Sequence, residues 1–189
     1  MILLTFLTSG CAPLSGQGTM PSPPAKEDAL PAVSRETMLE ESREIFRDLF
    51  PEAEADSRFF CGTLADAEMI LSGGGCGIIL LGDTDPKKST PAVQVLERLP
   101  LGNAHVLYAD AGKERNLRSG AWQRFSEALE EAMAAEGEEH LSRDRKMELP
   151  AVLSVKNGAV CVFRDNLSAM NEEDLEKELR ALAGIFENR

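Results

Sequence analysis

The fold of this 189-residue chain is indicated most clearly by the stretch Leu149–Val160, which reads LPAVLSVKNGAV. Pro150 opens a short apolar run, Asn157-Gly158 interrupts it, and a second apolar run follows. Two apolar runs joined by Asn-Gly are a strong signal for a β-hairpin, because these residues tolerate the positive φ angles of a tight hairpin turn. We therefore predict antiparallel strands over 151–155 and 159–163.

Upstream of the hairpin, segments typical of strands alternate with segments typical of helices. The continuous apolar run Gly77–Gly82 indicates a strand buried on both faces. Thr63, with Asp66 three residues later, indicates a helix that begins with a capping box, and Asn171 is a cap for the last helix. We predict strands at 58–61, 77–82 and 104–109, and helices at 35–50, 64–71, 90–99, 121–135 and 172–187. The order β-α-β-α-β-α-β-β-α implies an α/β fold whose mixed central sheet has helices on both faces.

The N-terminal part of the chain differs from the rest. Residues 1–7 are almost wholly apolar, and small or polar residues lead from them to Cys11. Residues 12–33 contain five prolines and few large apolar residues, so we predict a disordered tether. Residues 34–51 are predicted to form an amphipathic helix capped by Ser34, and residues 57–189 the main domain.

Composition limits the partners of this protein. The formal net charge is −12 and the pI is about 4.7, which argues against nucleic acid and anionic membrane surfaces. The acidic surface either favours basic partners or serves solubility. Only two histidines are present, and no spacing of His and Cys suggests a zinc site. We expect neither a metal nor a cofactor.

Two parts of the chain resemble known kinds of protein segment. Residues 1–11 resemble the end of a bacterial lipoprotein signal peptide, which would make Cys11 the lipidated N-terminus and would place the protein outside the cytoplasm. A frayed terminus of a cytoplasmic protein is the alternative, since the apolar run is too short to span a bilayer. Residues 58–189 resemble the thioredoxin-like superfamily in Gly62-Thr63, Leu80-Leu81-Gly82, Leu149-Pro150 and Lys156-Asn157-Gly158. The closest likeness is to bacteriocin transport accessory-type proteins.

The resemblance implies a thioredoxin-like fold in which Pro150 is cis and faces the active loop. A gap-free match from Gly82 places Pro86-Lys87-Lys88-Ser89 where the family has Cys-x-x-Cys, and a match on Pro91 places the site nearer Asp83. Leu80 stands where many members keep a buried acid. Because the family's chemistry needs a thiolate and a resolving thiol, ordinary dithiol activity is not expected. The degenerate active-site loop comprises Asp83, Asp85, Pro86, Lys87, Lys88 and Ser89, and Leu149 with Pro150 would form a peptide-binding edge.

Several alternatives stay open at this point. Lys87 and Lys88, beside a helix N-terminus, either form a basic spot suited to a carboxylate or are simply solvated. Cys61 and Cys161 lie in predicted strands, and Cys76 follows three glycines. We expect a redox-inactive, envelope-anchored module that binds a peptide or protein partner and touches the membrane only through its lipid. One alternative is a thiol-disulfide oxidoreductase that uses Cys76 or Cys161, and another is a structural subunit held by the helix over 38–50.

Overall fold

A computed structural model of the chain describes residues 35–54, 56–102, 104–134 and 147–184. The predicted signal segment with Cys11, the predicted tether over 12–33 and the predicted cap Ser34 lie outside these residues. The helices are α1 (Arg35–Leu49), α2 (Leu64–Ser72), α3 (Thr90–Arg98), α4 (Gly112–Leu117), α5 (Gly120–Ala134) and α6 (Glu172–Ala183). The strands are β1 (Phe59–Gly62), β2 (Gly77–Gly82), β3 (Val106–Asp110), β4 (Ala151–Lys156) and β5 (Ala159–Arg164). Single 3₁₀ turns occur at Pro86–Lys88 and Leu167–Ala169.

The five strands form one mixed sheet in the order β1-β3-β2-β4-β5. β1, β3 and β2 are parallel, β4 is antiparallel to β2, and β5 is antiparallel to β4. Because parallel neighbours need crossover connections, α2 and α3 join the parallel strands across the faces of the sheet. The predicted α/β class, with a mixed sheet between helices, is confirmed.

Alternation along the buried strands divides the core into two layers. Leu80 and Tyr108 point into the first layer, which α1, α3 and α6 cover. Ile79 and Leu81 point into the second layer, which α2 and α5 cover. Successive residues of a strand face opposite sides, so a strand covered on both sides must be apolar throughout, as β2 is.

Helix α1 belongs to the same core as the sheet. Phe46 is fully buried and stacks on Phe59 of β1, with ring centroids 4.7 Å apart. Phe50 meets Tyr108 of β3 edge-to-face at 5.0 Å. The amphipathic N-terminal helix is therefore an integral part of the first layer.

The predicted local signals are found at their expected positions. The Thr63 side chain accepts a hydrogen bond from the Asp66 N–H, and the Asp66 carboxylate accepts one from the Thr63 N–H at 2.7 Å, which completes the capping box. The hairpin turn has positive φ at Asn157 and Gly158. A Cβ at Gly158 would lie 2.6 Å from the Leu71 carbonyl oxygen, so a larger residue does not fit there.

The structure also departs from the predicted elements. Helix α4 was not predicted, and β3 begins at Val106 rather than at residue 104. α6 ends at Ala183; the residues from 185 to its predicted end at 187 lie outside the described part of the chain. No helix among the described residues is long and apolar enough to span a bilayer.

Candidate functional site

The predicted site residues meet at the carboxyl edge of the parallel strands. β2 ends at Gly82, and the N–H of Ala111, which follows β3, donates to the Gly82 carbonyl at 3.1 Å. β4 enters the sheet at the same edge, because Ala151 pairs with Leu81. Because β2 and β4 are antiparallel, continuing this register by one residue places Pro150 beside Gly82. Segments far apart in sequence thus converge where parallel sheets commonly carry sites.

Asp83 is the first residue of the loop after β2, and its side chain is only 12% exposed. Its carboxylate accepts hydrogen bonds from the Lys88 ammonium at 2.6 Å and from the Thr84 N–H at 2.7 Å. Burial alone would raise the pKa of Asp83. Lys88, the Thr84 N–H and the more distant Arg115 outweigh burial and hold the pKa below its usual value.

The two lysines of the loop have different surroundings. Lys88 is held by Asp83, whereas Lys87 is exposed and has no ion pair among the described residues. The Asp85 side chain accepts a hydrogen bond from the Lys87 N–H at 3.1 Å and caps the 3₁₀ turn that Pro86 begins. The expected basic spot is therefore largely neutralised by its own loop, and Lys87 is its remaining cation.

Ser89 and Tyr108 place two buried hydroxyls beneath the loop. Ser89 is at the N-cap of α3, is fully buried and makes no side-chain cap hydrogen bond. Neither hydroxyl makes a hydrogen bond of good geometry among the described residues. The Ser89 hydroxyl is nevertheless close enough to that of Tyr108 to lower the pKa of the tyrosine. Burial and the Asp110 carboxylate raise the pKa of Tyr108, so its hydroxyl stays protonated. A Cβ at Gly82 would lie 2.2 Å from the Tyr108 hydroxyl oxygen. The tyrosine hydroxyl therefore packs directly against the glycine backbone at the end of β2, where a side chain would not fit.

Helix α4 supports the loop from the other side. A Cβ at Gly112 would lie 2.2 Å from the Thr84 backbone nitrogen, so α4 and the loop are in direct backbone contact. Asn116 donates to the Thr84 hydroxyl at 3.4 Å, and Arg115 donates to the Met147 carbonyl at 3.1 Å. α4 therefore ties the loop to the segment that leads into Pro150.

Tyr108 and α4 are the parts of the site that sequence reasoning missed. Tyr108 is the only tyrosine of the chain, and its polar hydroxyl inside an apolar strand was the available signal. α4 offered no comparable signal, because its one large apolar residue, Leu117, is exposed.

The Leu149–Pro150 peptide bond is cis, as expected from the resemblance. The backbone on either side of Leu149 is paired with the chain after β5: Asn166 donates to the Glu148 carbonyl and Leu167 to the Pro150 carbonyl. Leu149 has no backbone partner among the described residues. Leu149 comes two residues before Ala151, which pairs with Leu81 near the end of β2, so its unpaired backbone groups lie near that end of the sheet. The Leu149 side chain itself packs in the second layer.

Of the described thiols, only Cys61 adjoins this site, because it is paired with Tyr108 in the sheet register. Cys61 is in β1, Cys161 is in β5, and Cys76 precedes β2 at the opposite edge of the sheet. Burial raises the pKa of the Cys61 thiol to about 12, so that thiol stays protonated near neutral pH. The Cys76 sulfur is half-buried and accepts a hydrogen bond from the Asn157 N–H at 3.2 Å.

The site therefore consists of a polar loop, a supporting helix and a backbone edge. Within the described part of the chain, no group of three His, Cys, Asp or Glu residues is arranged to hold a metal ion. Two arrangements remain that can bind a partner, namely the exposed cation Lys87 and the unpaired backbone groups of Leu149. No family model and no curated protein matches this chain.

Proposed function

We propose that this chain is a thioredoxin-like protein without dithiol chemistry that binds an extended segment of a protein or peptide partner at the carboxyl edge of its sheet. The backbone of Leu149 carries the proposal. Its N–H and C=O are close to the end of β2, just beyond the last pair between β2 and β4, and no described residue pairs with them. An extended segment adds to such an edge through backbone hydrogen bonds, which supply affinity without requiring one particular side chain.

The thioredoxin-like assignment is supported by the order and direction of the strands. A β-α-β-α-β unit of parallel strands is followed by an antiparallel hairpin and a final helix. The stretch Pro86–Ser89, matched to the family's dithiol, forms a 3₁₀ turn that leads into α3. A thiol at that place would stand at a helix N-terminus, where thiolates are stabilised. This chain has proline and serine at the two cysteine positions.

We also propose that the protein is attached to the outer face of a bacterial membrane through lipidated Cys11. The apolar start of the chain and the proline-rich stretch after Cys11 support this location. Expression in a bacterium fed a labelled fatty acid tests it. We expect label in the full chain and none in the variant Cys11→Ser. Equal labelling of the two chains, or none in either, would contradict the proposal.

Site-specific photo-crosslinking tests the binding edge. One variant carries a photoreactive phenylalanine analogue at Thr84, in the exposed part of the loop, and the matched control carries it at Lys156, at the other end of β4. We expect defined adducts from position 84 after irradiation of cells and none from position 156. Equal adducts from both positions, or none from position 84, would count against the carboxyl edge as the binding surface.

A second candidate function is thiol-disulfide exchange at Cys76. The partial exposure of Cys76 favours it, because thiol-disulfide exchange requires that the partner disulfide can reach the sulfur. Reduction of insulin by dithiothreitol separates the two candidates. Under the binding proposal, the full chain accelerates reduction no more than a variant in which Cys61, Cys76 and Cys161 are serine. Acceleration that is lost with Cys76→Ser alone would establish the second function.

A further inference from the structure

A groove of about 510 Å³ runs between the end of α1 and helix α3. Leu49 at the end of α1 and Phe50 directly after it line one side, and Val93 of α3 lines the other. Gln94 of α3 donates to the Glu52 carboxylate at 2.8 Å, which links α3 to the turn after α1. The groove lies on the outer side of the first layer, and its lining includes Lys87 of the loop after β2 but not Leu149.

Two exposed apolar side chains extend the groove along α1. Leu49 is 40% exposed, and Ile45, one helical turn earlier, is 54% exposed. Residues four apart on a helix are neighbours on its surface, so the two side chains form a continuous apolar strip beside the groove.

Carboxylates surround this apolar surface. Glu52, Glu54 and Glu97 line the groove, and Glu41, Glu44 and Asp48 are exposed on α1. None of these six has an ion pair among the described residues.

The cations nearby offset these charges only in part. Arg43 and Arg47 of α1 are both engaged by Glu40. Arg98, which lines the groove, is 3.7 Å from Glu172. Lys87 lines the groove at the opposite end of α3. Arg58 also acts on Glu97. The carboxylates around the apolar strip nevertheless outnumber the cations that are free to offset them.

Glu97 is the half-buried member of this set. Burial and the charges of Glu54 and Asp56 raise the pKa of Glu97, and together they outweigh the Ser57 hydroxyl that donates to its carboxylate and the Arg58 charge, which lower it. The negative charge at Glu97 is thus disfavoured in the free protein. A cation placed in the groove would stabilise that charge.

We propose that the groove between α1 and α3 binds a basic amphipathic helix of a partner protein, with its apolar side chains on Ile45 and Leu49 and its lysines or arginines on the surrounding carboxylates. Helix-in-groove recognition uses apolar anchors spaced one turn apart, and Ile45 and Leu49 provide a matching pair. A second copy of this chain is a poor occupant, because two proteins of net charge −12 repel each other.

Fluorescence anisotropy with the full chain tests the proposal. The probe is a labelled amphipathic peptide made only of leucine and lysine at helical spacing. One control peptide has glutamate for each lysine, and another has the same leucine and lysine content in scrambled order. We expect binding of the first peptide alone, with affinity that falls as salt is added, because surface charges are screened. Equal binding of the scrambled peptide would reduce the effect to net charge and overturn the proposal.

Variants of the chain locate the binding surface. The double variant Ile45→Ser, Leu49→Ser should weaken binding about tenfold or more, as loss of central apolar anchors does. Leu117→Ser, a control at a residue 67% exposed on α4, should leave binding unchanged. Glu54→Gln with Glu97→Gln should weaken it as well, whereas Glu127→Gln with Glu130→Gln, the same charge change on α5, should not. Equal effects of the groove and control variants would overturn the proposal.

Two further measurements identify other occupants. Sedimentation that shows a dimer of the full chain, lost in Ile45→Ser, Leu49→Ser, would assign the groove to a second copy and overturn the proposal. Displacement of the probe by a synthetic copy of residues 12–34 would assign it to this chain's own N-terminal segment, with the same consequence. Photo-crosslinking from position 84 tests partner binding at the carboxyl edge by a separate measurement. If either the edge proposal or the groove proposal fails, the other can therefore still be tested.

Discussion

Single residues at the carboxyl edge hold polar atoms in an apolar setting. The Tyr108 hydroxyl is buried against Gly82 and makes no hydrogen bond of good geometry among the described residues. A buried hydroxyl without a partner costs stability. We therefore expect Tyr108→Phe to raise the free energy of unfolding by about 1 kcal/mol, measured by urea denaturation. A loss of stability instead would mean that the Tyr108 hydroxyl forms an effective hydrogen bond with the neighbouring Ser89 hydroxyl.

Asp83 gives a prediction that depends on pH. Its pKa in the folded protein is below the ordinary value of about 3.9, so its carboxylate stabilises the fold above that value. This contribution is lost as pH falls through the lowered pKa. We expect Asp83→Asn to be less stable than the parent chain near pH 7 and to match it at pH values below the lowered pKa. Urea denaturation across pH measures this, with Asp110→Asn as an exposed control at the same edge. A deficit that does not vary with pH would contradict the assigned role.

At the scale of elements, α1 has one face in the core and another in solvent. Phe46 is fully buried, whereas its neighbour Ile45 is 54% exposed. We expect Phe46→Ala to lower the free energy of unfolding by about 3–5 kcal/mol, because it leaves a cavity beside Phe59. Ile45→Ala should change it by less than about 0.5 kcal/mol. Chemical denaturation of both variants checks the pair. A small loss for Phe46→Ala would show that α1 contributes little to the fold.

Elements also differ in how well they can be predicted from sequence. β2 and the 151–164 hairpin carry dense local signals, namely an unbroken apolar run and an Asn-Gly turn, and both were predicted within one residue. α4 is short, polar and without apolar periodicity. Its position depends on backbone contact between Gly112 and the loop after β2, so no pattern within its own residues specifies it.

At the scale of the whole molecule, two core layers share one sheet. Tyr108, the only tyrosine, belongs to the first layer, and Trp122, the only tryptophan, packs against the second. Since the two layers are built on opposite faces of the same strands, we expect the two layers to unfold together. Tyrosine absorbance and tryptophan fluorescence should give the same urea midpoint. Two separated midpoints would show that the layers unfold independently.

The amino-acid sequence by itself determined the order of most elements, the hairpin and the helix caps, because these depend on residues within a few positions of one another. Thr63 with Asp66 and Asn157 with Gly158 are such cases. Only the tertiary structure decided that Lys88 is neutralised by Asp83, that Tyr108 rests on Gly82, and that α1 and α3 enclose a groove. The physical reason is that burial and charge pairing depend on which segments the fold brings together, and local patterns do not encode that proximity.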